Sequence, residues 1–90
     1  MARLGMDVDE VERVAAGLHS QAGNLGHLIQ SIDQLVNAAV HAWDGDDSRQ
    51  FHEWWNSQHK PALNNAMNAI DGLSQAAKNN ASAQRQVSGH

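Results

Sequence analysis

The sequence predicts an all-α protein, an antiparallel helix-turn-helix hairpin that dimerises into a four-helix bundle. Three observations carry this reading. Two long segments each repeat apolar residues at helical spacing. Trp43-Asp44-Gly45 separates them at the midpoint of the 90 residues. All four aromatics, Trp43, Phe51, Trp54 and Trp55, lie in or just after that turn. The whole chain reads as a single hairpin domain.

The first helix is expected over residues 7–42. Asp7 with Glu10 resembles an N-cap pair, and Met6 is placed to staple onto the first turn. Apolar residues then run in three seven-residue phases. One is Val11, Leu18, Leu25, Ile32 and Ala39; a second is Val14, Leu28, Leu35 and Ala42, interrupted by Gln21. The third is Val8, Ala15, Ala22, Ile29, Val36 and Trp43. Together they cover roughly 100° of the helix, which is wider than a coiled-coil seam and calls for more than one neighbour. Gly17, Gly23 and Gly26 each cost about 1 kcal/mol against Ala. The apolar phase runs through them unshifted, so one continuous helix is preferred to a break near Gly23-Asn24. Their sharper reading is close backbone approach of a neighbour.

The turn is expected over residues 43–46. A glycine among acidic residues fits a helix stop followed at once by a helix start. Gly45 is expected at positive φ, closing the first helix. Asp46 or Asp47 is expected to cap the second, with Gln50 as capping-box partner to Asp47.

The second helix is expected over residues 47–83, with a stripe of Leu63, Ala66, Ile70, Leu73 and Ala77. Ala62, Ala69, Ala76 and Ala83 run along one flank. Counting back at 100° per residue places Phe51 and Trp55 on the stripe and Trp54 off it. Trp54 is therefore either a contact for a partner outside the bundle or simply exposed. Pro61 removes a backbone donor inside this helix, so a kink or restart is expected there. Residues 84–90 read as a flexible tail.

The hairpin or dimer interface is expected to use Val11, Val14, Leu18, Leu25, Leu28, Ile32 and Leu35 of the first helix. The second helix adds Phe51, Trp55, Leu63, Ile70 and Leu73. Leu28 is expected to be buried deeply enough that a carboxylate there is severely destabilising. Two broad stripes in one small hairpin leave surface that a second hairpin covers, and a four-helix bundle is the simplest solution.

Charge narrows the function classes. Six basic against ten acidic side chains give a net charge of -4. Residues 1–45 hold two basic and six acidic, whereas residues 46–90 hold four of each. With no Lys/Arg cluster, neither nucleic acid nor an anionic membrane has an electrostatic footprint. There is no cysteine, hence no disulfide, thiol nucleophile or thiolate metal site. The start of the chain leads straight into Asp7, Asp9 and Glu10, with no apolar core of a cleaved signal peptide. No apolar run nears the ~20 residues that span a bilayer.

No catalytic or metal-binding residues are expected. His52-Glu53 opens like the zinc-protease helix motif, but the position that should hold the second histidine is Asn56. No two of the six histidines stand at i,i+4. Asp46 and Asp47 suit helix-start charges better than an acid/base dyad. Neither a phosphate loop nor a nucleophile elbow occurs. The expectation is a non-enzyme without cofactors.

The central Trp43-Asp44-Gly45, with Phe51 six residues beyond Gly45 and the Leu63-Asn64-Asn65-Ala66-Met67 stretch, resembles the WXG family of small secreted proteins. The early secreted antigen of mycobacteria belongs to that family. The likeness covers nearly the whole chain. It implies a helical hairpin that dimerises, as homodimer or with a paralogous WXG-type protein, into a four-helix bundle. It also implies folded export by a type VII (ESX-like) secretion system without a cleaved signal peptide, as substrate, partner and effector. The Trp-x-Gly turn would act with a partner's tail in recognition by the secretion ATPase, a role that carries over to Trp43 and Gly45. One departure stands out. Many exported pairs end in Tyr-x-x-x-Asp or Glu, whereas this chain has no Tyr and no acidic residue after Asp71. A partner then supplies the signal, or another cue does. The competing reading is a cytoplasmic helical adaptor or chaperone-like dimerisation module that is not exported.

Overall fold

The structure, a computed structural model, describes residues 6–88. Helix α1 spans Val8–His41, and a short turn leads to α2, Asp46–Trp54. A π-helical turn, Trp55–His59, joins α2 without a break to α3, Lys60–Ser88. The chain folds back once, into a rod of 68 × 17 × 17 Å.

Asp7 caps α1 by accepting from the Glu10 backbone N–H at 3.2 Å. Glu10 does not return the bond that a capping box requires. Its carboxylate is taken by Arg13, one turn on. The helix passes through Gly17, Gly23 and Gly26 without interruption. Only Gly26 is approached closely: a Cβ there would lie 3.1 Å from Met67 Sδ, whereas at Gly17 and Gly23 it would meet nothing within 4 Å.

The kink expected at Pro61 takes a specific form. In an unbroken α-helix the proline could not donate to the Ser57 carbonyl, and its ring would press on that group. The chain widens one turn instead, with the Lys60 N–H donating to the Trp55 carbonyl five residues back. The extra residue rotates everything before it by roughly 100° relative to α3. Of the two aromatics that the uniform count placed on the stripe, the seam takes one. Trp55 turns into the centre of the helix–helix seam and is buried, while Phe51 stays exposed and packs instead on Trp43.

The seam is narrow. Ile29, Val36 and Trp55 form its core, flanked by Leu25, Ile32, Val40, Leu63 and Met67. Towards the open end small residues take over: Ala15, Ala22 and Ala81 are buried, and Ser74 Oγ donates to the Ala15 carbonyl at 2.7 Å. Near the bend a polar node ties α1 to the π-turn. Asp33 accepts from Trp55 Nε1 at 2.9 Å and from Lys60 Nζ at 3.1 Å. At the open end Arg85 reaches both Asp9 and Glu12 at 2.8 Å. These contacts hold the last turns of α3, so the tail expected from residue 84 is helical through Ser88. Residues 89 and 90 of that expected tail lie outside the described residues.

Asp33 carries a pH dependence. The Trp55 indole N–H, then the Lys60 ammonium, hold its carboxyl below the ordinary carboxylate value. A carboxyl depressed in the fold contributes stability above its unfolded value, and loses that contribution as pH falls through the folded value. Thermal unfolding should therefore show a melting temperature that drops below about pH 4. Asp33→Asn should lower it at pH 7 and flatten that drop. The residual slope would come from Glu10, which Arg13 holds down in the same sense. A melting profile of Asp33→Asn that matched the wild type at every pH would remove the node from the fold's support.

Candidate functional site: the bend and the uncovered flank

The expected interface residues divide into two sets. Val11, Leu18, Leu25, Ile32, Leu63 and Ile70 are partly buried along the seam, beside the buried Trp55. Val14, Leu28, Leu35 and Leu73 are not in the seam at all. They are 42%, 54%, 69% and 60% exposed, too open for a carboxylate at Leu28 to break the hairpin itself. Leu28 and Leu35 are seven residues apart on α1, and Leu73 follows Ile70 on α3. Antiparallel pairing brings both rows to one side of the rod, where Leu25, Leu28 and Ile70 line a shared groove. The opposite side is polar, with His19 Nδ1 3.2 Å from Asp71 Oδ1 and the Asp33–Lys60 pair.

The size of the uncovered surface is informative. A compact monomer of 9.8 kDa exposes about 5,200 Å². This chain exposes 6577 Å². Its radius of gyration is 20.0 Å, where a compact domain of its length has about 12 Å. Much of the excess is the cost of the rod shape, and the apolar flank is where a partner would reduce it.

At the bend, α1 ends on Ala42, in right-handed geometry, and Trp43 follows beyond the helix. Trp43 therefore does not extend the core. Its ring lies against Phe51, with centroids 5.4 Å apart, and is 41% exposed. Gly45 has φ 114° and ψ -179° and stands immediately before α2. It opens the second helix rather than closing the first. Neither Asp46 nor Asp47 is the cap; both lie in the first turn, where their charge suits the exposed amides. Asp46 pairs with Arg49. Trp54 points outward, 54% exposed, with Nε1 donating to Gln58 Oε1 at 3.0 Å and its ring beside His59.

Among the described residues no three His, Asp or Glu side chains converge as a metal site, and no helix is long and apolar enough to cross a membrane. His52 Nε2 lies 2.9 Å from the Asn56 amide nitrogen, the position at which the protease motif departs.

A family described as proteins of 100 residues with WXG matches residues 3–87. The chain belongs to the WXG100 family. That is a family of small helical secreted proteins, not known as enzymes, and its Trp-x-Gly is here Trp43-Asp44-Gly45. No curated protein and no solved structure gives a match. Two features of this WXG100 chain have little or no signal in its sequence. The π-turn is foreshadowed only by Pro61. The Asp33 node joins residues 22 and 27 positions apart, which no local pattern marks.

Gly45 offers a clean test of the bend. A side chain there would meet nothing within 4 Å, so the obstacle is backbone conformation and not space. That φ/ψ region is essentially restricted to glycine, at a cost of about 1–3 kcal/mol for other residues. Gly45→Val should lower hairpin stability by about that amount in denaturant unfolding, with helicity below the midpoint unchanged. A variant as stable as wild type would show that the turn has another conformation open to it.

Proposed function

We propose that this WXG100 protein is a non-enzymatic substrate of a type VII (ESX-like) secretion system. It is exported folded, as a dimer with itself or a paralogous WXG-type chain, and appears outside the cell or at its surface. The observation that carries the dimer is the uncovered apolar flank of Val14, Leu28, Leu35 and Leu73. Laid on a matching flank, it forms a four-helix bundle whose centre is apolar while the His19–Asp71 sides stay wet. The half-exposed Trp43 ring and the Gly45 turn form the end presented to the secretion ATPase. Since this sequence has no Tyr-x-x-x-Asp/Glu, the rest of the export signal comes from a paralogous partner or from another cue.

Leu28→Asp separates the dimer from the hairpin. It should keep helical circular dichroism, while light scattering shows self-association weakened roughly a hundredfold or more, because burying an unpaired carboxylate costs about 3 kcal/mol or more. If the partner is a paralogue, the same loss should appear in the mixed complex. A wild-type chain that is a stable monomer alone and with its genomic neighbour would sink the dimer.

Trp43→Ala addresses export. The ring lies outside the core cluster, so the variant should remain folded and dimeric. It should nevertheless disappear from culture filtrate, as the wild type should when the secretion ATPase is deleted. Secretion of the folded dimer at wild-type level would leave Trp43 with a packing role alone.

A further inference from the structure

The bend holds more than a turn. Along one side of α2 and the π-turn, beside the Trp43 ring, runs an open groove lined by Trp43, Asp47, Phe51, Glu53, Trp54 and Gln58. We propose that this groove binds an extended segment of another protein through its lysine or arginine side chains. The proposal rests on the partner-binding reading above and gives the partner at the bend a chemistry.

Charge is the first argument. Between residues 43 and 58 stand four acidic side chains, Asp44, Asp46, Asp47 and Glu53, against Arg49 alone. Arg49 is engaged by Asp46. Among the described residues Asp44, Asp47 and Glu53 have no ionic partner. Aromatic surface is the second. Trp54 and Trp43 are each about half exposed, and an indole face is the best of the aromatic rings at attracting a cation. The Gln58 bond and the His59 ring hold Trp54 in place, so little rotamer freedom is lost on binding.

Shape decides the kind of ligand. From Asp47 to Gln58 the groove follows roughly 16 Å of helix. It is open to solvent and would leave a small ammonium mostly wet, unlike a small-molecule site. An extended chain of about five residues covers that length, and Gln50, Ser57 and Gln58 along the groove offer groups for its backbone. The acidic rim repels nucleic acid and anionic lipid. It also disfavours a second copy as the occupant. The open end of the hairpin carries Asp7, Asp9, Glu10 and Glu12, with Arg13 and Arg85 already paired to them. Among the described residues neither acidic end offers the groove of a second copy an unpaired arginine, which leaves the flank contact proposed above unaffected.

The test uses the intact protein and two acetylated eight-residue peptides, one alternating serine with arginine and the other serine with glutamine. Calorimetry at about 50 mM salt should give the arginine peptide about tenfold tighter binding, weakened several-fold at about 300 mM salt. Trp54→Ala, and separately the double variant Asp47→Asn with Glu53→Gln, should each remove about that tenfold preference. Asp71→Asn, on the polar side of the rod, should leave it intact. Circular dichroism checks that each variant is folded. Equal affinity for the two peptides, or an unchanged preference in folded Trp54→Ala, would overturn the proposal. So would a Trp54→Ala protein whose dimer dissociates, since the occupant is then a second copy. Light scattering on the same samples reads the dimer separately: a monomer that still prefers the arginine peptide loses the dimer and keeps the groove.

Discussion

The contact on which the hairpin most depends is the seat that Asp33 provides for the π-turn. Pro61 forbids a regular α-helix across the second arm, so the turn must widen somewhere near it. Widening alone sets no direction. The Asp33 carboxylate takes the Trp55 indole N–H and the Lys60 ammonium together, from the two ends of the widened turn, and fixes its rotation against α1. With that rotation set, Trp55 fills the seam beside Ile29 and Val36. Trp54, its neighbour, is thereby turned to solvent. The same local defect therefore places one indole in the core and another on the candidate partner surface.

Away from that node the two arms are held by modest means. The fully buried part of the seam is built from alanine and serine towards the open end, so dispersion and close approach replace bulk. The ion pairs of Arg85 are solvent-exposed, and pairs of that kind contribute little individually. Their effect is to close the open end and extend α3, more than to set the stability of the whole. A hairpin so lightly supported gains much from any partner that covers its apolar flank.

The sequence made the architecture legible because its strongest signals are local and periodic. Apolar phases in both arms, a glycine between acids and a cap at Asp7 all act within a turn or two of their own position. Gly45 was legible as a positive-φ residue, but not its role, because stopping one helix and starting the next use similar residues. The three phases of α1 showed that the apolar surface is wide; they did not show which phase faces the second arm. That depended on size: the Ala15, Ala22, Ile29 and Val36 row lets the arms approach, whereas the Leu28 and Leu35 row, larger and more hydrophobic, is left outside. The uniform 100° count put Phe51 on the stripe with Trp55, but only Trp55 lies in the seam; Phe51 packs on Trp43 at the bend. The acidic groove was split in the sequence between a turn and a helix, and only the fold brings Trp43 and Trp54 to one groove.

The difference between the two sides of the rod bears on how far assembly proceeds. Filaments grow when a molecule carries two distinct adhesive patches, so that each addition leaves one free for the next. Among the described residues one side of the rod is apolar, and the other is polar, with the His19–Asp71 contact and the Asp33–Lys60 ion pair. Contact through the apolar side would consume it in both participants and leave no second apolar side to propagate. A thin rod of this kind, were it to pair through that side as proposed, would form particles that stop growing once the side is covered.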